Sequence, residues 1–211
     1  MLKHQKIQIA IFLYIIALIY SVIYNLNGHP YLMMVPVSAL VPFILPLLFK
    51  ILKLKMTDRI FILNLLFCFL ASIVGSTLSG YEYPYYDKVI HFISGLIICI
   101  CGYLLFCIIK KVKRIKEPSD MTLMYIFMNT FNLAVAVLWE FYEYMTLIFF
   151  NYDCINHYTT GVHDSITDML CAFVGGIIIT LLVYHSYKYQ KPNFITKIYE
   201  ELYEKNANEK E

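Results

Sequence analysis

The sequence predicts an all-α membrane protein, a six-helix transmembrane bundle with its N- and C-termini on the cytoplasmic side. Three observations carry that expectation. Of the 211 residues, 60% are hydrophobic and 15% charged, where soluble domains hold about 45–50% and about 25%. The apolar residues gather in six runs, each able to supply the ~20 residues that one crossing of a bilayer needs. Finally, 16 of the 17 basic residues fall in segments that six crossings bring to one side. The composition excludes a water-soluble globule. It also excludes a disordered chain, because 8 Gly and 7 Pro in so apolar a sequence do not make a linker.

The first run, Ile7 to Tyr24, has no small-residue cleavage site after it and is expected to stay as a helix. The second, Leu32 to Phe49, contains Pro36, Pro42 and Pro46. Each proline removes a helical N–H, so this span is expected to be kinked or partly unwound, with neighbouring helices covering the freed carbonyls. The others are Ile60 to Leu78, Val89 to Ile109, Leu123 to about Met145 and Ile166 to Tyr184. Spans at about 7–24, 32–49, 60–78, 89–109, 123–145 and 166–184 make one transmembrane domain over residues 1–185. Residues 186–211 form a cytoplasmic tail. Phe194, Ile195, Ile198, Tyr199 and Leu202 recur there at helical spacing, which predicts an amphipathic helix on the inner membrane surface. Asn206 to Glu211 are expected to be disordered.

Alternating crossings place the N-terminus, the Lys50 to Arg59 loop, the Lys110 to Asp120 loop and the tail together. By the positive-inside rule that side is cytoplasmic; richness in Ile, Lys, Tyr and Asn hints at an AT-rich bacterial genome, so a bacterial cytoplasmic membrane is expected. The other side has Lys88 alone, and residues 117–187 contain no Lys or Arg. Formal charge is −6 outside and +8 inside, so the outer face should attract cations. Cys68, Cys99, Cys101, Cys107 and Cys171 lie in spans and only Cys154 in an outer loop, which leaves no disulfide framework. Tyr81, Tyr83, Tyr85 and Tyr86 fit an outer aromatic belt. The basic loops report orientation, and nothing points to nucleic acid.

Ionisable residues inside spans are rare because burying them is costly. Here they come in pairs on three helices. Asp87 and His91 are four apart and share a face, continued by Ser94 and Gly95. Glu140 and Glu143 are three apart, with Asn129 and Asn132 extending their stripe inward. Asp164 and Asp168 repeat the spacing of four, followed by Cys171 and Gly175, small enough for close helix approach. Helical rise puts all three pairs near the outer boundary. If the helices are neighbours, Asp87, His91, Glu140, Glu143, Asp164 and Asp168 form one outward-open site, with His163 at its rim. So many carboxylates need protons, Lys88 or a metal cation to balance them. The alternative is that Asp87 and Asp164 are first-turn acids favoured by the helix dipole and His91 is a packing residue.

These residues carry a family resemblance. Asp87-Lys88-Val89-Ile90-His91-Phe92-Ile93-Ser94-Gly95, Trp139-Glu140-Phe141-Tyr142-Glu143 and Asp164-Ser165-Ile166-Thr167-Asp168-Met169, with Gly175 and Gly176 after it, resemble the three ordered blocks of the YjdF-like inner-membrane proteins. The resemblance covers roughly residues 80–185 and implies a topology and a site position rather than a reaction. A more distant similarity is to VanZ-like membrane proteins, a family associated with glycopeptide-antibiotic resistance and the cell envelope. It rests on the Asp-Lys-x-x-His-Phe helix start. The chain departs from that family in lacking a Glu-x-x-Gln segment with arginine, and its loop before Asp164 has no arginine.

Three functional readings stay open. In the first, the chain is a membrane enzyme acting on an outer-leaflet lipid or lipid-linked envelope precursor. Asp87, His91, Asp164 and Asp168 would ligate a divalent metal, and Glu140 or Glu143 would be the catalytic proton-transfer group. Oxygen-rich ligation fits Mg²⁺ or Mn²⁺, and the histidine leaves Zn²⁺ or Fe²⁺ open. In the second, the same acids carry protons or cations in transport, supported by the stripe through Asn129 and Asn132. In the third, they only lock three helices together in an accessory protein.

Overall fold

The computed structural model describes residues 2–207, with side chains from residue 5. Among the described residues there are eight α-helices and no strand: α1 Leu2–Leu26, α2 Met34–Leu40, α3 Ile44–Ile51, α4 Asp58–Cys68, α5 Tyr86–Lys110, α6 Pro118–Phe150, α7 Val162–Lys188 and α8 Phe194–Ala207. Six helical stretches are long and apolar enough to cross a membrane: Gln5–Leu26, Met34–Ile51, Asp58–Thr77, Tyr86–Lys110, Pro118–Phe150 and Val162–Lys188. Their outward faces are apolar, as Phe12 at 63% and Leu170 at 54% exposure illustrate; water would penalise such a surface and lipid does not.

Local chemistry sets the helix ends. Thr57 Oγ1 accepts the Ile60 N–H and caps α4. Pro118 opens α6, where its missing N–H has no helical partner to lose. Asn151, at φ 52°, ends α6 in the left-handed conformation that asparagine tolerates. The apolar runs understate α6, which extends from Pro118 to Phe150 rather than stopping near Met145.

The described chain divides into two compact units, one of Met1–Asp87 with Glu201–Glu211 and the other of Lys88–Glu200. In the first, Tyr14, Leu65, Cys68 and Ile73 form the core. The proline-rich span breaks as its composition demands, with a 3-10 turn over Val41–Phe43 joining α2 to α3. An α-helix would bond residue 42 to the Ser38 carbonyl and residue 46 to the Pro42 carbonyl; proline can do neither. The Tyr14 hydroxyl donates to Ser38 O at 2.8 Å, and Asn64 Nδ2 donates to Pro42 O at 2.8 Å. Two side chains from neighbouring helices thus replace the two missing bonds.

Following α4, Phe69–Thr77 is wound as a π-helix, a widening that hydropathy cannot signal. Thr77 Oγ1 lies 2.8 Å from Ser21 Oγ and 2.7 Å from the Ile73 carbonyl, and Asn25 Nδ2 donates to Thr77 O at 2.9 Å. The end of α8 also belongs to this unit. Asn206 pairs with both backbone groups of Lys55, accepting at 2.7 Å and donating at 3.1 Å. Asn206 and Ala207 are therefore helical, against the expectation of disorder, and the rest of that expected segment lies outside the described residues.

In the second unit, α5, α6 and α7 pack through glycines. A Cβ on Gly95 would overlap the Ala172 backbone, one on Gly175 would fall 2.5 Å from Phe92 O, and one on Gly102 3.2 Å from Met128 Cα. At Gly95 and Gly175 only hydrogen permits the approach, and at Gly102 a methyl would be tight. The apolar face of α8 is buried in protein, with Ile198 at 0% and Tyr199 at 1% exposure, rather than resting on a lipid surface.

Candidate functional site

The first turns of α5 and α7 and the last third of α6 bring the ionisable residues of the second unit to one level. Lys88, in the first turn of α5, reaches across to α7. Its ammonium donates to Asp164 Oδ1 and, at 2.8 Å, to Asp168 Oδ2. Asp164 and Asp168 side chains are 9% and 1% exposed, and that of Lys88 24%. The other Asp164 oxygen accepts from Asn156 Nδ2 at 2.7 Å. Asn156 in turn organises the loop before α7, its carbonyl taking the N–H groups of Thr159, Thr160 and Gly161.

One turn further along α5, His91 is 7% exposed. Its Nε2 lies 3.8 Å from Asp168 Oδ1, close enough for attraction and too long for a hydrogen bond. On its other flank are Glu140 and Glu143 of α6. One ligand-type atom from each of His91, Glu140 and Glu143 falls within 4.8 Å of the others. Glu140 is 7% exposed; Glu143, nearer the surface, accepts from Trp139 Nε1 at 2.7 Å. Asp87 precedes His91 by one turn of the same helix, and His163 is exposed in the first turn of α7. The Ser94 hydroxyl donates to His91 O at 2.7 Å, a helix-internal bond.

Donor chemistry suits a cation. An imidazole and two carboxylates converge, and within this unit Lys88 is the one ammonium beside four buried or half-buried carboxylates. Burying like charges without a counter-ion is costly, so such a set takes up protons or a cation. Beyond Glu140, α6 exposes a largely apolar surface: Phe141 58%, Tyr142 56%, Met145 50%, Ile148 56% and Phe149 71%. At about 1.5 Å per residue, Phe150 lies roughly 15 Å along the helix from Glu140, so the site sits well short of the end of α6.

The same chain matches the family model described as "Predicted membrane protein (DUF2238)" over residues 7–189. The chain belongs to that family. It is therefore a multi-pass membrane protein of an uncharacterised family, and the match spans the three blocks that carry the YjdF-like resemblance. It adds nothing to the VanZ-like similarity. No curated protein and no solved structure matches the chain.

Within this family member, the amides on the α6 stripe are committed to helix packing. Asn132 Nδ2 donates to Ala172 O and Asn129 Nδ2 to Thr180 Oγ1, each at 2.8 Å. Cys99 Sγ joins the same seam, donating to Gly176 O at 3.3 Å. Three contributors to the site are not among the residues singled out from the pairs. Lys88 had a signal, as the sole basic residue on its side. Trp139 lies one helical turn before Glu143, a legible spacing, whereas Asn156 reaches Asp164 only through the fold of its loop.

Proposed function

We propose that the second unit carries a divalent-cation site built on His91, Glu140 and Glu143, facing the outside of a bacterial cytoplasmic membrane, with both termini cytoplasmic. The observation that carries this reading is the division of labour among the acids. Lys88 engages Asp164 and Asp168, while Glu140 and Glu143 converge on His91. The two glutamates, expected as proton-transfer groups, here stand beside His91 as ligands, and Asp168, expected as a ligand, also lies within reach of the same imidazole. Asp168, 3.8 Å from His91 Nε2, adds negative potential at the imidazole. Asp87 is the further acid on the His91 helix. A divalent ion there would polarise an oxygen of a bound molecule.

The molecule would be the polar head of an outer-leaflet lipid or a lipid-linked envelope precursor. Support comes from the apolar, exposed flanks of α6 on either side of Glu143, which surround the site with lipid rather than water. Glu143, half-buried and held by Trp139, is the ligand such a head group meets first.

The deciding experiment is the metal content of full-length protein purified in detergent, alongside His91→Ala, Glu140→Gln and Lys88→Met. About one equivalent is expected in the wild type, none in the first two variants, and a retained ion in the third. A wild type that is folded and metal-free after incubation with Mg²⁺, Mn²⁺, Zn²⁺ and Fe²⁺ would overturn the proposal. Orientation is read separately in intact cells by a membrane-impermeant thiol reagent on a cysteine-free background. Asn151→Cys should label and Ser119→Cys should not; labelling of the latter alone reverses the topology.

A further inference from the structure

The opposite end of the second unit carries a different chemistry. Lys110, Lys111, Lys113, Arg114 and Lys116 follow α5, and Lys188, Lys191 and Lys197 surround the end of α7 and the start of α8. Lys110 is paired with Asp120 at 2.7 Å, but Lys111, Lys116 and Lys191 are exposed with no acid within ion-pair range among the described residues. Arg114 is held rigidly at the centre. Its Nη2 donates to Ser186 O at 2.9 Å, and its guanidinium carbon lies 5.0 Å from the Tyr187 ring centroid. The Lys191 backbone N–H reaches the same Ser186 carbonyl at 3.1 Å, which sets Lys191 beside Arg114. Arg114 Nε is buried and has no hydrogen-bond partner among the described residues.

In the last turn of α7, the Lys188 ammonium lies over the rings of Tyr184 and Tyr189, 5.6 Å from each centroid. Tyr184 and Tyr189 are 46% and 54% exposed. Tyrosine rings with lysine beside them at a helix end are characteristic of the head-group layer. We infer that Arg114, Lys188 and Lys191 form a binding site for the phosphate of an anionic phospholipid in the leaflet at this end of the unit. A planar guanidinium donates directionally to phosphate oxygens, and the flanking lysines add attraction that anionic leaflets reward. A lipid is favoured over a dissolved anion because the tyrosines offer its glycerol and upper acyl carbons an apolar surface next to the charges.

The test is native mass spectrometry of the full chain in detergent, titrated with phosphatidylglycerol, phosphatidylcholine or inorganic phosphate. Wild type should retain phosphatidylglycerol in preference to phosphatidylcholine and should not retain phosphate. Arg114→Gln and Lys191→Gln should each weaken phosphatidylglycerol retention by about fivefold, and Arg114→Lys should restore only part of it. Lys191 is exposed, so its variant reports even if loss of Arg114 perturbs folding. Equal retention of the two lipids, retention of phosphate matching that of phosphatidylglycerol, or an unchanged preference in Lys191→Gln would each overturn the site.

Discussion

The two units bury polar side chains to opposite ends. In the first they are neutral, and each repairs backbone: Tyr14 and Asn64 serve the carbonyls freed by Pro42 and Pro46, and Asn25 serves the π-helical Thr77. The second also buries ionisable ones, and these face one another: Lys88 with Asp164 and Asp168, His91 with Glu140 and Glu143. A buried polar atom in a membrane protein is thus informative through its partner. One that bonds to an orphaned carbonyl explains a break in a helix, whereas one that meets another titratable group marks where chemistry can occur.

The contrast is broken most forcefully at Asp168, 1% exposed between Lys88 and His91. Asp168→Ala removes one of the two charged hydrogen bonds of the Lys88 ammonium, leaving Asp164, and should lower stability by about 1.5–3 kcal/mol, read from unfolding in mixed detergent micelles. The Lys88→Ala/Asp168→Ala double variant should lose less than the sum of its parts. Additive losses would mean that the pair is not coupled. Next in size is Gly95→Ala, which forces a methyl into the Ala172 backbone; separating α5 from α7 should cost about 1–3 kcal/mol and weaken the proposed cation binding with it. Intact binding in a destabilised Gly95→Ala protein would show that the site does not depend on that helix spacing.

The sequence makes some of this legible and hides the rest for physical reasons. Six crossings and a break at Pro36, Pro42 and Pro46 follow from hydropathy and from the missing proline N–H, both local properties. Gly175 as a close-approach residue follows from its size and its place on the Asp164 face. By contrast, which acids Lys88 would choose depends on the rotation of α7 against α5, which no periodicity specifies, so its pairing with Asp164 and Asp168 could not be read from spacing. The π-helix has no composition of its own. The extension of α6 to Phe150 was hidden because one crossing needs only ~20 residues, whereas α6 stays helical well beyond that length.

A smaller effect sharpens the other side of the contrast. Tyr14→Phe removes one hydroxyl and leaves the Ser38 carbonyl unbonded beside Pro42. The cost should be about 1–3 kcal/mol, with no change in metal content, because that bond repairs backbone in the first unit. Altered metal content in Tyr14→Phe, at unchanged helicity, would contradict the separation of roles.

The smallest effect concerns the amide stripe of α6, where packing and passage of ions make different demands. Asn132 is 1% exposed and donates to Ala172 O, the carbonyl against which Gly95 also packs. If the amide is only a tie between α6 and α7, Asn132→Leu removes one interhelical hydrogen bond, worth about 0.6 kcal/mol on average in membrane bundles. Metal content and proton or cation leak in reconstituted vesicles should then stay at the wild-type level. If instead the stripe conducts, the wild type should pass ions and Asn132→Leu should abolish the flux while barely moving stability. The geometry favours the tie: both amides along the stripe already bond to α7, and a group that holds two helices together is poorly placed to hand an ion between them.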